Sequence, residues 1–164
     1  MSKQFLIFFG IGVVVVAIAV TAILQKTKGN HLVLNGKILK IRNGALGDSD
    51  SIAVLDFRVE NPTDVPFVVR EVDVTLEQPN GNMLDGQNVT KGDLKQLFQY
   101  NRFLGEQYND GLAIKDRIAP HTTVDRMVAV RFELKNHDLE TAKAIHMTIT
   151  DMDGPTFETS RSMQ

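Results

Sequence analysis

The 164-residue chain contains no cysteine, only two tyrosines and five prolines, and no excess of positive charge. Without cysteine there can be no disulfides, thiolate zinc sites, iron–sulfur clusters or cysteine nucleophiles, and the redox compartment leaves no mark. Eighteen Lys plus Arg against 20 Asp plus Glu give a formal net charge of −2. That balance argues against a general nucleic-acid binder, whose surface is strongly basic. The histidines, His31, His121, His137 and His146, never fall at metal-ligand spacing, and His-Glu-x-x-His does not occur. Gly-x-Ser-x-Gly and the Gly-rich phosphate loops are missing too, so the sequence shows no catalytic constellation and calls for no cofactor. At 43% hydrophobic and 23% charged residues the chain is not disordered throughout, and its length suits one compact domain and little more.

One long uncharged run is present. Residues 5–24 read FLIFFGIGVVVVAIAVTAIL, 20 residues with Thr21 as the only polar side chain. A helix of that length spans about 30 Å, the thickness of a bilayer core. The expectation is a tail at 1–4, a single transmembrane anchor at 5–24 and a linker at 25–30. A β-domain then fills 31–159, and a tail ends the chain at 160–164. A signal peptide cut near Val20-Thr21-Ala22 is the competing reading, although the apolar run continues past that point. The short N-terminal tail resembles that of a signal anchor and puts the domain outside the cytoplasm. The basic residues Lys26, Lys28, Lys37, Lys40 and Arg42 on the far flank count the other way.

The remainder alternates with period two. Ala53, Leu55, Phe57 and Val59 face one way and Val54, Asp56, Arg58 and Glu60 the other, a half-buried strand. A second runs over 67–77 and ends in the turn Pro79-Asn80-Gly81-Asn82, after which 83–90 returns. Strands are expected again over 124–134 and 145–150, with a short edge at 156–159. Leu32 to Ile41 is also β-rich, with Asn35-Gly36 as either a hairpin turn or a bulge. About seven short strands make the expected fold mainly β, an immunoglobulin-like antiparallel sandwich.

One segment breaks the alternation. From Asp93, a candidate N-cap, to Leu104 before Gly105, the apolar residues Leu94, Leu97, Phe98 and Leu104 fall at helical spacing. Residues 93–104 are therefore expected to form an inserted helix that plugs an open end or edge of the sandwich. Alternatively it is a lid over an apolar cleft, with Tyr100, Phe103 and Tyr108 at the mouth. A shorter helical turn is expected over 138–143. Leu97, Phe98, Tyr100, Phe103 and Tyr108 are the candidate interaction residues. Asp151-Met152-Asp153-Gly154 resembles the start of a calcium loop, but its twelfth position is Ser162 rather than Glu.

The step Asn61-Pro62-Thr63-Asp64-Val65-Pro66, and Ile118-Ala119-Pro120-His121-Thr122-Thr123 with the strand after it, resemble the WHy domain of late-embryogenesis-abundant proteins and related bacterial membrane-anchored immunoglobulin-like domains. The resemblance spans about 31–158. It implies an immunoglobulin-like sandwich and transfers no catalytic residue. With one anchor and no catalytic centre, the expected function is non-catalytic: binding a partner protein as an accessory of a membrane or envelope complex. The alternative is lipid or apolar-ligand binding in a cleft between the sheets and residues 93–104.

Overall fold

The computed structural model describes residues 12–14, 16–18, 20–21 and 33–163. The chain divides into two units, Met1–His31 and Leu32–Gln164. Most of the expected anchor lies outside the described residues. Those within it, 12–14, 16–18 and 20–21, are helical, and the Thr21 hydroxyl donates to the Ala17 carbonyl at 2.7 Å. Among the described residues no helix is long and apolar enough to cross a membrane.

The second unit is two packed antiparallel sheets. The first runs β1 (Asn35–Ala45), β2 (Ser51–Asn61), β7 (Thr122–Phe132), β5 (Gln87–Asn88). The second runs β4 (Met83–Asp85), β3 (Phe67–Glu77), β8 (Ala144–Asp151), β9 (Thr156–Ser162), with β6 (Arg117–Ile118) also paired to β3. Helix α1 covers Lys91–Tyr100, a 3-10 turn follows at Arg102–Leu104, and α2 covers Asn136–Glu140. The sandwich architecture is as the alternation implies, with nine strands among the described residues rather than about seven. The extra pieces are short: the expected strand 83–90 breaks at Gly86 into β4 on one sheet and β5 on the other. A Cβ at Gly86 would stand 2.1 Å from Val130 and 2.8 Å from Phe132, so only glycine permits this crossing. At the C-terminus β9 runs on to Ser162, where a free tail was expected.

The main core lies between the sheets. Leu55, Phe57 and Val59 of β2, Val128, Val130 and Phe132 of β7, Val72, Val74 and Leu76 of β3, and Ile145, Met147 and Ile149 of β8 meet there. Phe57 and Phe132 are both fully buried, as their alternation requires. The expectation of a half-buried β2 fails over its first half, where Ile52 and Val54 are also fully buried. They form a second cluster with Met127 and Ala129, roofed by Leu94 of α1 and Leu104 of the 3-10 turn. The helix therefore covers the outer face of the first sheet; it does not plug an end or edge.

Asn35-Gly36 is neither a hairpin turn nor the bulge. It pairs with Glu60 and Val59 inside β1, and the irregularity falls between Ile38 and Lys40. Gly36 is required by close approach: a Cβ there would lie 2.4 Å from the Arg58 carbonyl oxygen. The Asn-Pro step that carries the family resemblance has a clear structural use. Asn61, fully buried, donates to the carbonyls of Val65 at 2.8 Å and Ile118 at 3.1 Å, and its side-chain oxygen accepts from Thr63. One amide thus ties together both proline-containing turns. Asp151 is likewise structural, accepting from the backbone N–H groups of Val68 and Asp153.

Candidate functional site

The N-cap lies three residues before the expected one, Asp93. Thr90 is the N-cap, and its hydroxyl donates to the Asp93 carboxylate at 2.7 Å, placing an acid in the first turn where the helix dipole favours it. Leu94 is buried against the first sheet, Leu97 and Phe98 pack half-buried beside it, and Lys95, Gln96 and Gln99 face solvent. The Asn101 side chain donates to the Ala45 carbonyl at 3.0 Å and fastens the helix end to the end of β1.

Beneath the helix lies a buried ion pair. Arg42 of β1 donates from Nε and Nη2 to Asp56 Oδ2 at 3.1 and 2.8 Å. Its Nη1 donates to the carbonyls of Leu104 and Glu106, both at 2.7 Å. The other carboxylate oxygen of Asp56 accepts from the Asn109 amide at 2.9 Å. The rings of Phe98 and Tyr108 stand over the guanidinium at 5.2 and 5.1 Å, within cation–π range. Each partner's burial is thus matched by directed hydrogen bonds, the condition under which a buried ion pair is tolerated. This network pins residues 104–109 to the sheet.

The five candidate residues separate into two groups. Phe98 and Tyr108 meet at Arg42, and Leu97 packs on the second cluster. Tyr100 and Phe103 touch neither and stand almost wholly in solvent, 88% and 96% exposed. Tyr108 is itself 62% exposed, and Leu46 on the β1–β2 turn is 43% exposed. From Lys95 to Phe103 the segment carries Lys95 and Arg102 and no acid. The result is a rigidly mounted aromatic patch with basic flanks.

A separate cleft of about 500 Å³ opens at the other end of α1. Val72, Leu94, Leu112, Met127 and Val128 line it, with Glu71, Asp73, Asn88 and Lys91 at its rim. None of the five candidate residues lines it, so the expected mouth of Tyr100, Phe103 and Tyr108 does not form. Burial, then the neighbouring carboxylates of Glu71 and Asp85, push the Asp73 carboxyl above its ordinary range. Further along β3, hydrogen bonds from Lys143 and then His146 hold the Glu77 carboxyl below it. Arg58 and Asp125 form an exposed two-pronged pair at 2.7 and 2.8 Å that lowers the pKa of the acid and raises that of the base. The described residues contain no group of three or more His, Asp or Glu side chains able to hold a metal.

No family model matches the chain, and no curated protein matches it. Among solved structures it is similar to a candidate lipoprotein of Bacillus subtilis, at 12% identity and TM-score 0.47 over 80% of this chain. The match covers only 37% of that protein. An uncharacterized β-sandwich protein of Clostridium difficile matches at 11% identity and TM-score 0.42, over 79% of this chain and 85% of the other. The archaellum periplasmic stator protein FlaG of Sulfolobus acidocaldarius matches at 10% identity and TM-score 0.35, over 78% and 99%. Likenesses at this level assign no function.

Proposed function

We propose that this chain is a non-catalytic binding protein, anchored in a membrane by residues 5–24, whose sandwich presents the Tyr100–Phe103 patch to a partner protein outside the cytoplasm. The observation that carries this reading is the contrast between exposure and rigidity. Two aromatic rings stand nearly free in water while the backbone beneath them is pinned through Asn101, Leu104 and the Arg42–Asp56 pair. Aromatic and Arg side chains mounted on ordered backbone are the usual anchors of protein interfaces, because little conformational freedom is left to lose on docking. Lys95 and Arg102 beside them suit a partner with an apolar pocket rimmed by acids.

The chain enters the sandwich at the Asn35 end of β1, whereas Asn101 is tied to Ala45 at the other end. Eleven strand residues span about 35 Å.

The test is purification of the full chain from its native membrane, identification of a stoichiometric partner, and reconstitution with that partner purified. The Y100S–F103S double variant should weaken binding at least tenfold while melting as the parent does. Undiminished binding by a correctly folded double variant overturns the reading. A chain found only in the soluble fraction, or one whose mature form lacks residues 5–24, overturns the anchor.

A further inference from the structure

We propose that the cleft between β3 and the start of α1 binds a small amphipathic cation, an aliphatic amine whose chain lies on Leu94, Leu112 and Val128 and whose ammonium meets Glu71 and Asp73. This site is independent of the aromatic patch, which occupies the opposite end of the helix. Its shape follows from the topology. Two connections cross between the sheets on this side, one through Gly86 from β4 to β5, the other from Gly111, bridged to Met127, on to β6. On this side β4 pairs only with Thr75–Glu77 of β3, and β6 only with Phe67 and Val68. The middle of β3 is left without a strand partner there, and the opening between the crossings is the cleft.

At about 500 Å³ the opening is of a size that holds small molecules, and its floor is apolar. The charges at its rim decide the class of ligand. Glu71 and Asp73 make no ion pair among the described residues. Asp85 adds a third negative charge; burial first, and then the charges of Glu71 and Asp85, hold the Asp73 carboxyl above its ordinary range. Among the described residues the one cation lining it, Lys91, lies 3.6 Å from Asp116 and is balanced by it. An ammonium at Glu71 and Asp73 relieves the repulsion, a carboxylate or phosphate there adds to it, and an uncharged chain gains only the floor.

The experiment titrates the full chain, held in a non-ionic detergent, with hexylammonium, hexanoate and hexanol, and follows methyl NMR signals. Hexylammonium should shift the signals of Val72, Leu94, Leu112 and Val128 saturably. Hexanoate should bind at least tenfold more weakly, with hexanol between. The E71Q–D73N variant changes exposed side chains and keeps the floor, so it should bind hexanol as before and lose its preference for the amine over the alcohol. The proposal is overturned if hexanoate binds as well as hexylammonium, if the variant keeps the parent's preference, if the shifts lie outside the cleft, or if none of the three probes binds.

Discussion

Arg42 and Asp56 face each other diagonally across β1 and β2, Nη2 to Oδ2 2.8 Å apart, under a roof built from a segment more than 45 residues further along the chain. Lys40, not Arg42, is the register partner of Asp56, so the pair lies on the diagonal that long side chains reach across an antiparallel ladder. Removing Arg42 would strand a carboxylate that is almost wholly buried. The Arg42→Ala variant should lose about 3–5 kcal/mol in urea unfolding. Replacing both residues with apolar ones, Arg42→Met with Asp56→Leu, should recover most of the loss, because breaking a buried pair costs more than omitting it. Hydrogen exchange over 101–110 should rise in the double variant even so, since the Leu104 and Glu106 carbonyls lose their donor.

The main core should answer to truncation of either fully buried phenylalanine. Phe57→Ala and Phe132→Ala should each cost about 3–5 kcal/mol, read as a fall in the urea midpoint at constant slope. Loss of less than about 1 kcal/mol from either would mean that its ring does not lie between the sheets.

Gly86→Ala tests the crossing between sheets. Its methyl would collide with Val130 and Phe132, and neither side chain has a free direction in the core. A loss of about 1–3 kcal/mol is expected from overpacking, with exchange rising at Gln87 and Asn88 before the rest of the molecule. Ala at Gly47, where no atom lies within 4 Å of the added methyl, should be close to neutral and serves as the control.

Asp73 and Glu77, four residues apart on β3, should respond to pH with opposite sign. The raised pKa of Asp73 means that the folded chain holds this proton more tightly than the unfolded chain does, so its ionisation destabilises the fold as pH rises. Asp73→Asn should therefore raise the melting temperature at pH 7, and the gain should disappear as pH falls below the usual carboxylate range. The lowered pKa of Glu77 means the reverse: its stabilisation is present above the unfolded pKa and lost as pH falls through the folded one. Glu77→Gln should lower the melting temperature at pH 7 and become neutral in acid. Melting curves of the two variants from pH 2 to 7 check both signs.

The sandwich was legible wherever one face of a strand meets the core and the other meets water. The bounds expected for β3, 67–77, are those found, because Val72, Val74 and Leu76 alternate with Asp73, Thr75 and Glu77. The same logic misjudged β2. Ile52 and Val54 lie on what alternation marks as the solvent face, and only the docking of Leu94 and Leu104 buries them. Two apolar residues on the outward side, opposite an apolar helical stripe elsewhere in the chain, were the available signal. Arg42 was read as one more flanking positive charge, since nothing local pairs it with an acid on the next strand. Asn35-Gly36 carries a signature that suits a hairpin turn or a bulge, yet the glycine serves close packing against Arg58. Of the candidate site, the helix and its stripe were legible. Its placement on a sheet face, and the separation of the patch from the cleft, depend on which strands become neighbours.

The two-sided burial of β2 also bears on how this chain is made. Its partner on the far side is β7, with Ser51 paired to Phe132 and Asn61 to Thr122, so all of the chain between them must be synthesised before the ladder can close. At ~5–20 residues per second that wait is roughly 4–15 s, during which a strand apolar on both faces is paired only with β1. Pairing at such sequence distance is also slow in itself. Within the sandwich, residues 52–57 are therefore a stretch left open to aggregation while the protein is being made.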